Sequence, residues 1–288
     1  MDVSVIIISF NTKKLTEDCL SSVVRSLKET KLTWEIILID NVSTDGTREM
    51  LTKKFPMVRA VFNDENVGFG RANNQGIRLA KGEYILLLNS DTIVLNHALG
   101  KLHAFAKQHP NSFVAPKLLN LDRSPQTSCG PFFSLPVVFV ALFLKGDRLG
   151  ITRWSPNHVR KVDWASGAAL MAQKRLFMND LLFDEKIFMY MEEIDLLYRA
   201  KKKGYATYFY PRSLIVHLGS GSSTNKRKGP VLNIYRGYIY LYSKHASAMA
   251  LGILKGMLKL KAMIGWAIGM LTGNAYLKET YAEAYQLV

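Results

Sequence analysis

Four apolar runs recur through the first third of the chain: VSVIIIS (3–9), WEIILID (34–40), VRAVF (58–62) and YILLLN (84–89). Each is nearly continuous rather than alternating, the pattern of strands covered on both faces. Helical spacing fills the gaps. Leu15, Cys19, Leu20, Val23, Val24 and Leu27 share one face, with Thr12 placed to cap it. STDGTREMLTKKF opens a second helix after Asp45-Gly46, and GRANNQGIRLAKG carries a third that Gly82 ends. A fourth begins at Asn96, with Leu99, Leu102, His103 and Ala106 on one side. Strand and helix in strict turn imply parallel pairing through right-handed crossovers, hence an α/β fold with an open, mostly parallel sheet and flanking helices.

Sheets of this kind bind ligands beyond the carboxyl ends of their strands. Those ends carry Ser9-Phe10-Asn11, Asp40-Asn41, Asn63 and Asn89-Ser90-Asp91, so polar groups converge on one edge. After about residue 120 the rhythm changes. FFSLPVVFVALFL (132–144) is apolar but too short to span a bilayer. VDWASGAALMAQKRLF reads as strand with a bend at small residues, and LLFDEKIFMYMEEIDLLYRAKKKGY as a helix entered through an aromatic loop. ATYFYPRSLIVH is a further strand, and a long helical region runs from Val231 almost to the end.

The 288 residues are 48% hydrophobic, enough for a sizeable core. Two cysteines make no disulfide framework, which favours a reducing compartment, and the apolar start lacks the basic leader of a signal peptide. The net charge is +15, and no Asp or Glu occurs from Leu196 to Lys278. Such a field attracts nucleotides, nucleic acid or an anionic membrane. Within the tail, Lys244, Lys255 and Lys259 fall on one side while Leu254, Met257, Leu258, Ile264 and Ile268 lie broadly opposite, with Lys261 intruding. A basic amphipathic helix of this sort suits an anionic membrane surface, and packing back on the protein is the plainer alternative.

The Gly-rich stretch GFGRANNQG has Asn73 where a dinucleotide fingerprint needs its third glycine, and it follows the third strand, which excludes a nicotinamide dehydrogenase. The acidic positions say more. Asp40 and Asp91 end neighbouring strands, MEEID (191–195) adds Glu192, Glu193 and Asp195, and His217 ends a later strand. Carboxylate, histidine and a bound diphosphate together satisfy a hard divalent cation such as Mg²⁺ or Mn²⁺. Singly, each has a blander reading as a cap, a salt bridge or a core histidine.

These motifs resemble the inverting nucleotide-sugar glycosyltransferases of family 2, most of all the rhamnosyltransferase-type enzymes of bacterial polysaccharide assembly. The likeness runs from VSVIIISFN through IILIDNVSTDGT, NDENVGFGRANNQGI, YILLLNSDT, WASGAALMAQKRLF and FMYMEEIDLLYRAKKKGY to VHLGSGS, over roughly residues 3 to 223. It implies a GT-A-type (Rossmann-like) fold with a C-terminal helical, membrane-associating extension. The implied division is a nucleotide-sugar-binding half (1–120), an acceptor-binding and catalytic half (121–230) and an amphipathic helical region (231–288).

The resemblance also implies roles. Ser9, Asn11, Asp40, Asn41, Gly68, Arg71, Asn73, Asn89 and Ser90 would bind the nucleotide-sugar. Asp91 would hold the metal, in a motif where Asn89 replaces the first Asp of the family's DxD, and His217 would be a second ligand. Glu193 would be the catalytic base, with Glu in place of the usual Asp and Glu192 as the adjacent fallback. Trp164 and Gly167 would sit near the acceptor, and Lys226, Arg227 and Lys228 would close over the departing diphosphate.

The expected function is transfer of a sugar from dTDP-rhamnose or a UDP-sugar to a hydroxyl of a glycan or polyprenyl-linked acceptor in cell-envelope polysaccharide synthesis. The enzyme would be cytoplasmic and peripheral at the inner face of the cell membrane, with no nucleic-acid partner; homo-oligomerisation stays open. One rival is a sugar-nucleotidyltransferase, but SFNTKKL lacks a Gly-rich phosphate loop after the first strand. The other is a degenerate transferase acting as a non-catalytic binding or scaffold protein.

Overall fold

The structure is a computed structural model and describes residues 1–179, 181–219 and 228–288. The apolar runs form β1 (Val3–Ser9), β2 (Trp34–Asp40), β3 (Arg59–Phe62) and β4 (Tyr84–Asn89), all parallel, in the order β3-β2-β1-β4. Helices α1 (Lys13–Lys28), α2 (Thr47–Lys54) and α3 (Phe69–Leu79) make the crossovers. Successive residues of a strand face opposite sides. Ile6, Ile37, Ile39 and Leu87 join one core with α3, while Val5, Ile7, Ile36, Leu38 and Leu88 join another with α1. Each fully buried aliphatic side chain contributes about 1.5–3 kcal/mol, which is why these runs are continuous rather than alternating.

The sheet continues through the second half of the chain. After β5 (Thr92–Val94) and α4 (Ala98–Gln108) come β6 (Ser112–Leu119), the short β7 (Cys129–Gly130) and α5 (Leu135–Phe143). Then follow β8 (Arg160–Val162), β9 (Trp164–Ala165), β10 (Ala169–Gln173), α6 (Lys174–Met178), α7 (Glu192–Lys202) and β11 (Ala206–His217). Strand β10 lies antiparallel between β4 and β6, and β11 runs parallel to β6. The register of β11 shifts between Tyr210 and Leu214, around Pro211, which has no N–H for a ladder. Its first half pairs with β8 and its second with β5, which sets His217 opposite Thr92.

Three local expectations are corrected. Thr12 does not cap α1 with its side chain; Asp45 does, accepting from Lys13 N–H at 2.7 Å across 32 residues of sequence. Gly82 is not the stop of α3, which ends at Leu79; a Cβ there would lie 2.4 Å from Ser4 N, so glycine allows close approach to β1. The fourth helix begins at Ala98, not Asn96. The tail is three helices, α8 (Lys228–His245), α9 (Ala248–Leu271) and α10 (Ala275–Gln286). Ser247 and Asn274 cap the last two, accepting from Ala250 N–H and Leu277 N–H.

Helix α9 is inverted. Its buried positions run Leu254, Leu258, Ala262, Gly265 and Gly269, while Met249, Ile253, Leu260, Met263, Ile264, Ile268 and Leu271 are exposed. The glycines let α10 approach closely, since a Cβ at Gly265 would meet the Tyr281 ring and one at Gly269 the backbone of Lys278. Leu254 and Leu258 therefore face the protein, apart from the outward Ile264 and Ile268 that the sequence pattern grouped with them. Among the described residues no helix is long and apolar enough to cross a membrane.

Candidate active site

The strand ends meet as a polar edge. Asp40 is 2% exposed, and its two oxygens accept from Ser43 hydroxyl (2.6 Å) and Ser43 N–H (2.9 Å). Asn11, at φ 50°, crosses to the same loop and accepts from Thr44 N–H at 2.8 Å. Asn41 donates to Asn66 and Gly68 O and accepts from Asn63. Ser9 is fully buried, its hydroxyl shared with Thr12 and Thr16, and Thr12 reaches Ser90 at 3.2 Å. Ser9 thus forms the floor of this edge and turns no hydroxyl outward.

Other expected donor-side residues face differently. Gly68, at φ 83°, lies against Phe188; a Cβ would be 2.7 Å from Phe188 O, which accepts from Phe69 N–H at 3.1 Å. That packing ties the loop before α7 to the start of α3. Arg71 is half exposed and turned to Glu185 at 3.8 Å. Asn73 is buried and donates to Phe69 O within its own helix.

The second corner forms where β4 ends. His217 Nε2 lies 3.4 Å from Asp91 Oδ1 and 3.5 Å from Asn89 Nδ2. Both Asp91 and His217 are mostly buried, and Leu218 N–H donates to Asp91 O at 2.9 Å, closing the end of β11 onto the turn. Among the described residues, buried Asn89 Oδ1 has no hydrogen-bond partner. Sequence reasoning missed Gln126, whose Oε1 sits 2.8 Å from His217 Nδ1. Its signal was weak, a lone polar residue in an irregular turn after β6.

One carboxylate and one imidazole fit a hard divalent cation that takes its remaining ligands from a diphosphate and water. A group of three or more His, Cys, Asp or Glu side chains able to hold a metal is absent among the described residues. Lys226 and Arg227, expected to close over the diphosphate, lie outside the described residues; Lys228 begins α8 and pairs with Glu283 at 2.7 Å.

The acidic corner sits one strand away. Asn89 N–H donates to Ala168 O at 2.9 Å, and next to Ala168 is Gly167, where a Cβ would touch Glu193 Cβ at 3.4 Å. Helix α7 starts from two consecutive non-glycine residues in the left-handed region, Tyr190 (φ 70°) and Met191 (φ 75°). Such backbone costs about 1–3 kcal/mol per residue. Gly237 of α8 braces it, since a Cβ there would lie 2.6 Å from Met191 Cγ.

The strained turn aims Glu192 into the protein and leaves Glu193 half-buried beside it. Burial pushes the carboxyl of Glu192 well above the ordinary range, the neighbouring Glu193 adds to it, and Glu192 Oε2 has no partner among the described residues. Burial also raises Glu193, against hydrogen bonds from backbone N–H groups and the nearby Arg153. Asp195, fully buried on the same helix, is the opposite case. It accepts from Arg199 (2.7 Å) and lies 2.8 Å from Lys244 and 2.7 Å from His245, so despite burial its pKa is lowered.

Trp164 offers no face to a sugar. It is 1% exposed, its Nε1–H donates to Pro131 O, Phe133 stacks on it and the Arg153 guanidinium lies 5.0 Å from its ring centre. A cavity of about 510 Å³ lined by Trp154, Arg160, Lys161, Lys201 and Thr207 lies at the start of β11, the end away from His217.

Residues 4–124 match the model of Glycosyl transferase family 2. The chain is 26% identical over 239 residues to the N-acetylglucosaminyl-diphospho-decaprenol L-rhamnosyltransferase of Mycobacterium tuberculosis, covering 73% of this chain and 75% of that protein. It is 32% identical over 126 residues to the poly(ribitol-phosphate) beta-glucosyltransferase of Bacillus spizizenii, a match over 42% of this chain and only 20% of that longer protein. Among solved structures, a mannosyltransferase from Pyrobaculum calidifontis in complex with GDP-Man and Mn²⁺ superposes with a TM-score of 0.59, covering 98% of this chain and 73% of that one. At 15% identity that likeness establishes the fold alone.

Proposed function

We propose that this chain, whose residues 4–124 match Glycosyl transferase family 2, carries out an inverting sugar transfer by direct displacement on a GT-A fold. The donor is dTDP-rhamnose or a UDP-sugar, and the acceptor is a hydroxyl of a glycan or polyprenyl-linked sugar in cell-envelope polysaccharide synthesis. The observation that carries the reading is the meeting of two corners through Asn89, Ala168, Gly167 and Glu193. Asp91 with His217 forms one and the acidic start of α7 the other.

On this reading Glu193 takes the proton of the acceptor hydroxyl as its oxygen attacks the anomeric carbon and the bond to the diphosphate breaks. A carboxyl held above its ordinary pKa is the better base near neutrality, because its strength as a base rises with its pKa. Asp91 and His217 would hold Mg²⁺ or Mn²⁺, which when bound neutralises charge on the leaving diphosphate. Asp40, Asn11 and Asn41 would line the nucleoside side, and Gly167 would leave room for the acceptor beside Glu193.

The test is product analysis with dTDP-rhamnose and a set of UDP-sugars, each with a polyprenyl-diphosphate-linked N-acetylglucosamine acceptor and Mn²⁺. Acceptor-dependent release of one nucleoside diphosphate, with inversion at the anomeric carbon, is the expected result. No turnover with any pair would favour the non-catalytic scaffold.

The proposed location is cytoplasmic and peripheral, at the inner face of the membrane, with α9 as the contact. What supports it is the large apolar outer face of that helix, with Lys259 and Lys261 on its flanks, and a net charge of +15. Leu260→Glu with Ile264→Glu is expected to abolish flotation with phosphatidylglycerol vesicles while leaving turnover on a water-soluble acceptor intact.

A further inference from the structure

We propose that Gln126 sets the tautomer of His217 and so prepares Nε2 to hold a divalent cation with Asp91; this rests on the metal reading of that pair given above. The device begins in the turn after β6. Asn120 N–H donates to Ser124 O at 2.9 Å, Asp122 accepts from Ser124, and Leu119 bridges Pro125. The chain thereby doubles back, and Gln126 N–H donates to Leu118 O at 2.9 Å. A polar residue with no periodic signature is delivered beside the end of β11.

The side-chain amide of Gln126 has one orientation. Its nitrogen donates to Asn120 Oδ1 and to the backbone carbonyl of His217, both at 3.1 Å. A backbone carbonyl only accepts, so it is met by the NH₂ end, and Oε1 must be the atom 2.8 Å from His217 Nδ1. An amide oxygen carries no hydrogen, so Nδ1 carries it. In the neutral ring this leaves the lone pair on Nε2, the atom 3.4 Å from Asp91 Oδ1. Two acceptors facing each other at that range repel until a positive charge stands between them. Asn89 Nδ2, 3.5 Å from the same Nε2, leans on the lone pair and leaves its own buried Oδ1 without a partner among the described residues. Holding the far nitrogen of a ligating histidine fixes both ring orientation and tautomer, and loss of such a partner costs about 10–100-fold in metal affinity.

Gln126 also braces the turn, and two substitutions separate the roles. Gln126→Met removes the acceptor for Nδ1–H and both donors. Gln126→Glu keeps an oxygen for Nδ1–H and loses both donors. The experiment titrates the folded wild type and both variants with Mn²⁺ in the presence of UDP. It follows the electron paramagnetic resonance signal of the free aquo ion against UDP-only blanks, with the ring ¹⁵N shifts of His217 read in metal-free protein. The expected result is Nδ1–H in wild type and Gln126→Glu, Mn²⁺ affinity of Gln126→Glu close to wild type, and affinity of Gln126→Met lower by about 10–100-fold. Equal affinities in all three proteins, or an equal fall in both variants, would overturn the positioning role. Absence of Mn²⁺ binding in the wild type would instead overturn the metal reading of Asp91 and His217, and this inference with it.

Discussion

Asp40 and Glu192 are both buried carboxyls at the mouth of the same sheet, yet the fold treats them in opposite ways. Asp40 ends a strand and is met at once by the hydroxyl and N–H of Ser43. Glu192 starts a helix from a left-handed turn and has an oxygen with no partner among the described residues. A satisfied carboxylate is a fixed acceptor, suited to recognising a ligand. A desolvated pair such as Glu192 and Glu193 holds its protons more tightly, and its titration belongs to the pair. On the proposed reading, the donor side of the site is built for binding and the acceptor side for proton transfer.

The largest test of that contrast is Glu193→Gln. It is expected to lower kcat by about 10²–10⁴-fold while nucleotide affinity, measured by calorimetry, stays at the wild-type value. A matching loss of affinity would erase the contrast. Close in size, Asp195→Ala strips Lys244, Arg199 and His245 of a buried partner. It should destabilise the fold by about 3–5 kcal/mol, measured by urea unfolding. Because the pKa of Asp195 is lowered, its contribution is present above the ordinary aspartate range and disappears as pH falls through the native value.

Smaller effects sharpen the two ends. Asp40→Asn should cost about 1–2 kcal/mol of stability and weaken nucleotide binding without moving the pH profile. With Glu193 as the proposed base, the profile itself should show an acid limb in kcat/KM above the ordinary glutamate range, because burial raises its pKa. Glu192→Gln should stabilise the protein at neutral pH by about 1–3 kcal/mol. The sign follows from the raised pKa: relative to the unfolded chain, wild-type stability is full below the ordinary glutamate range and is lost as pH rises through the native value. The advantage of the variant should therefore vanish near pH 4 and grow toward neutrality; the opposite slope would mean that Glu192 has a partner.

The strands were readable because burial on both faces is written locally: β1, β2, β4 and β11 occupy the residues of their apolar runs. Nearness of Asp91 to His217 followed from strand ends on one edge, and Pro211 is the local mark of the register shift in β11. What escaped was set by tertiary partners. Asp45 displaced Thr12 as the cap of α1 from 32 residues away. Trp164 reads as a sugar platform only until Phe133 and Arg153 are placed on its faces. In α9 the inward face passes from Leu254 and Leu258 to Ala262, Gly265 and Gly269, so apolar size alone put Leu254 and Ile264 on one side when packing separates them. Gln126 matters for its amide orientation, which no composition encodes.

The central claim is that a nucleoside diphosphate binds at Asp91 and His217 through a divalent cation. Calorimetric titration of the pure protein with UDP and dTDP, with and without Mn²⁺, repeated on Asp91→Ala, tests it most directly. The account predicts binding that requires Mn²⁺ and is lost in the variant, with the preferred base narrowing the donor. Binding that ignores both the ion and the substitution, or no binding of either nucleotide under any condition, would contradict it.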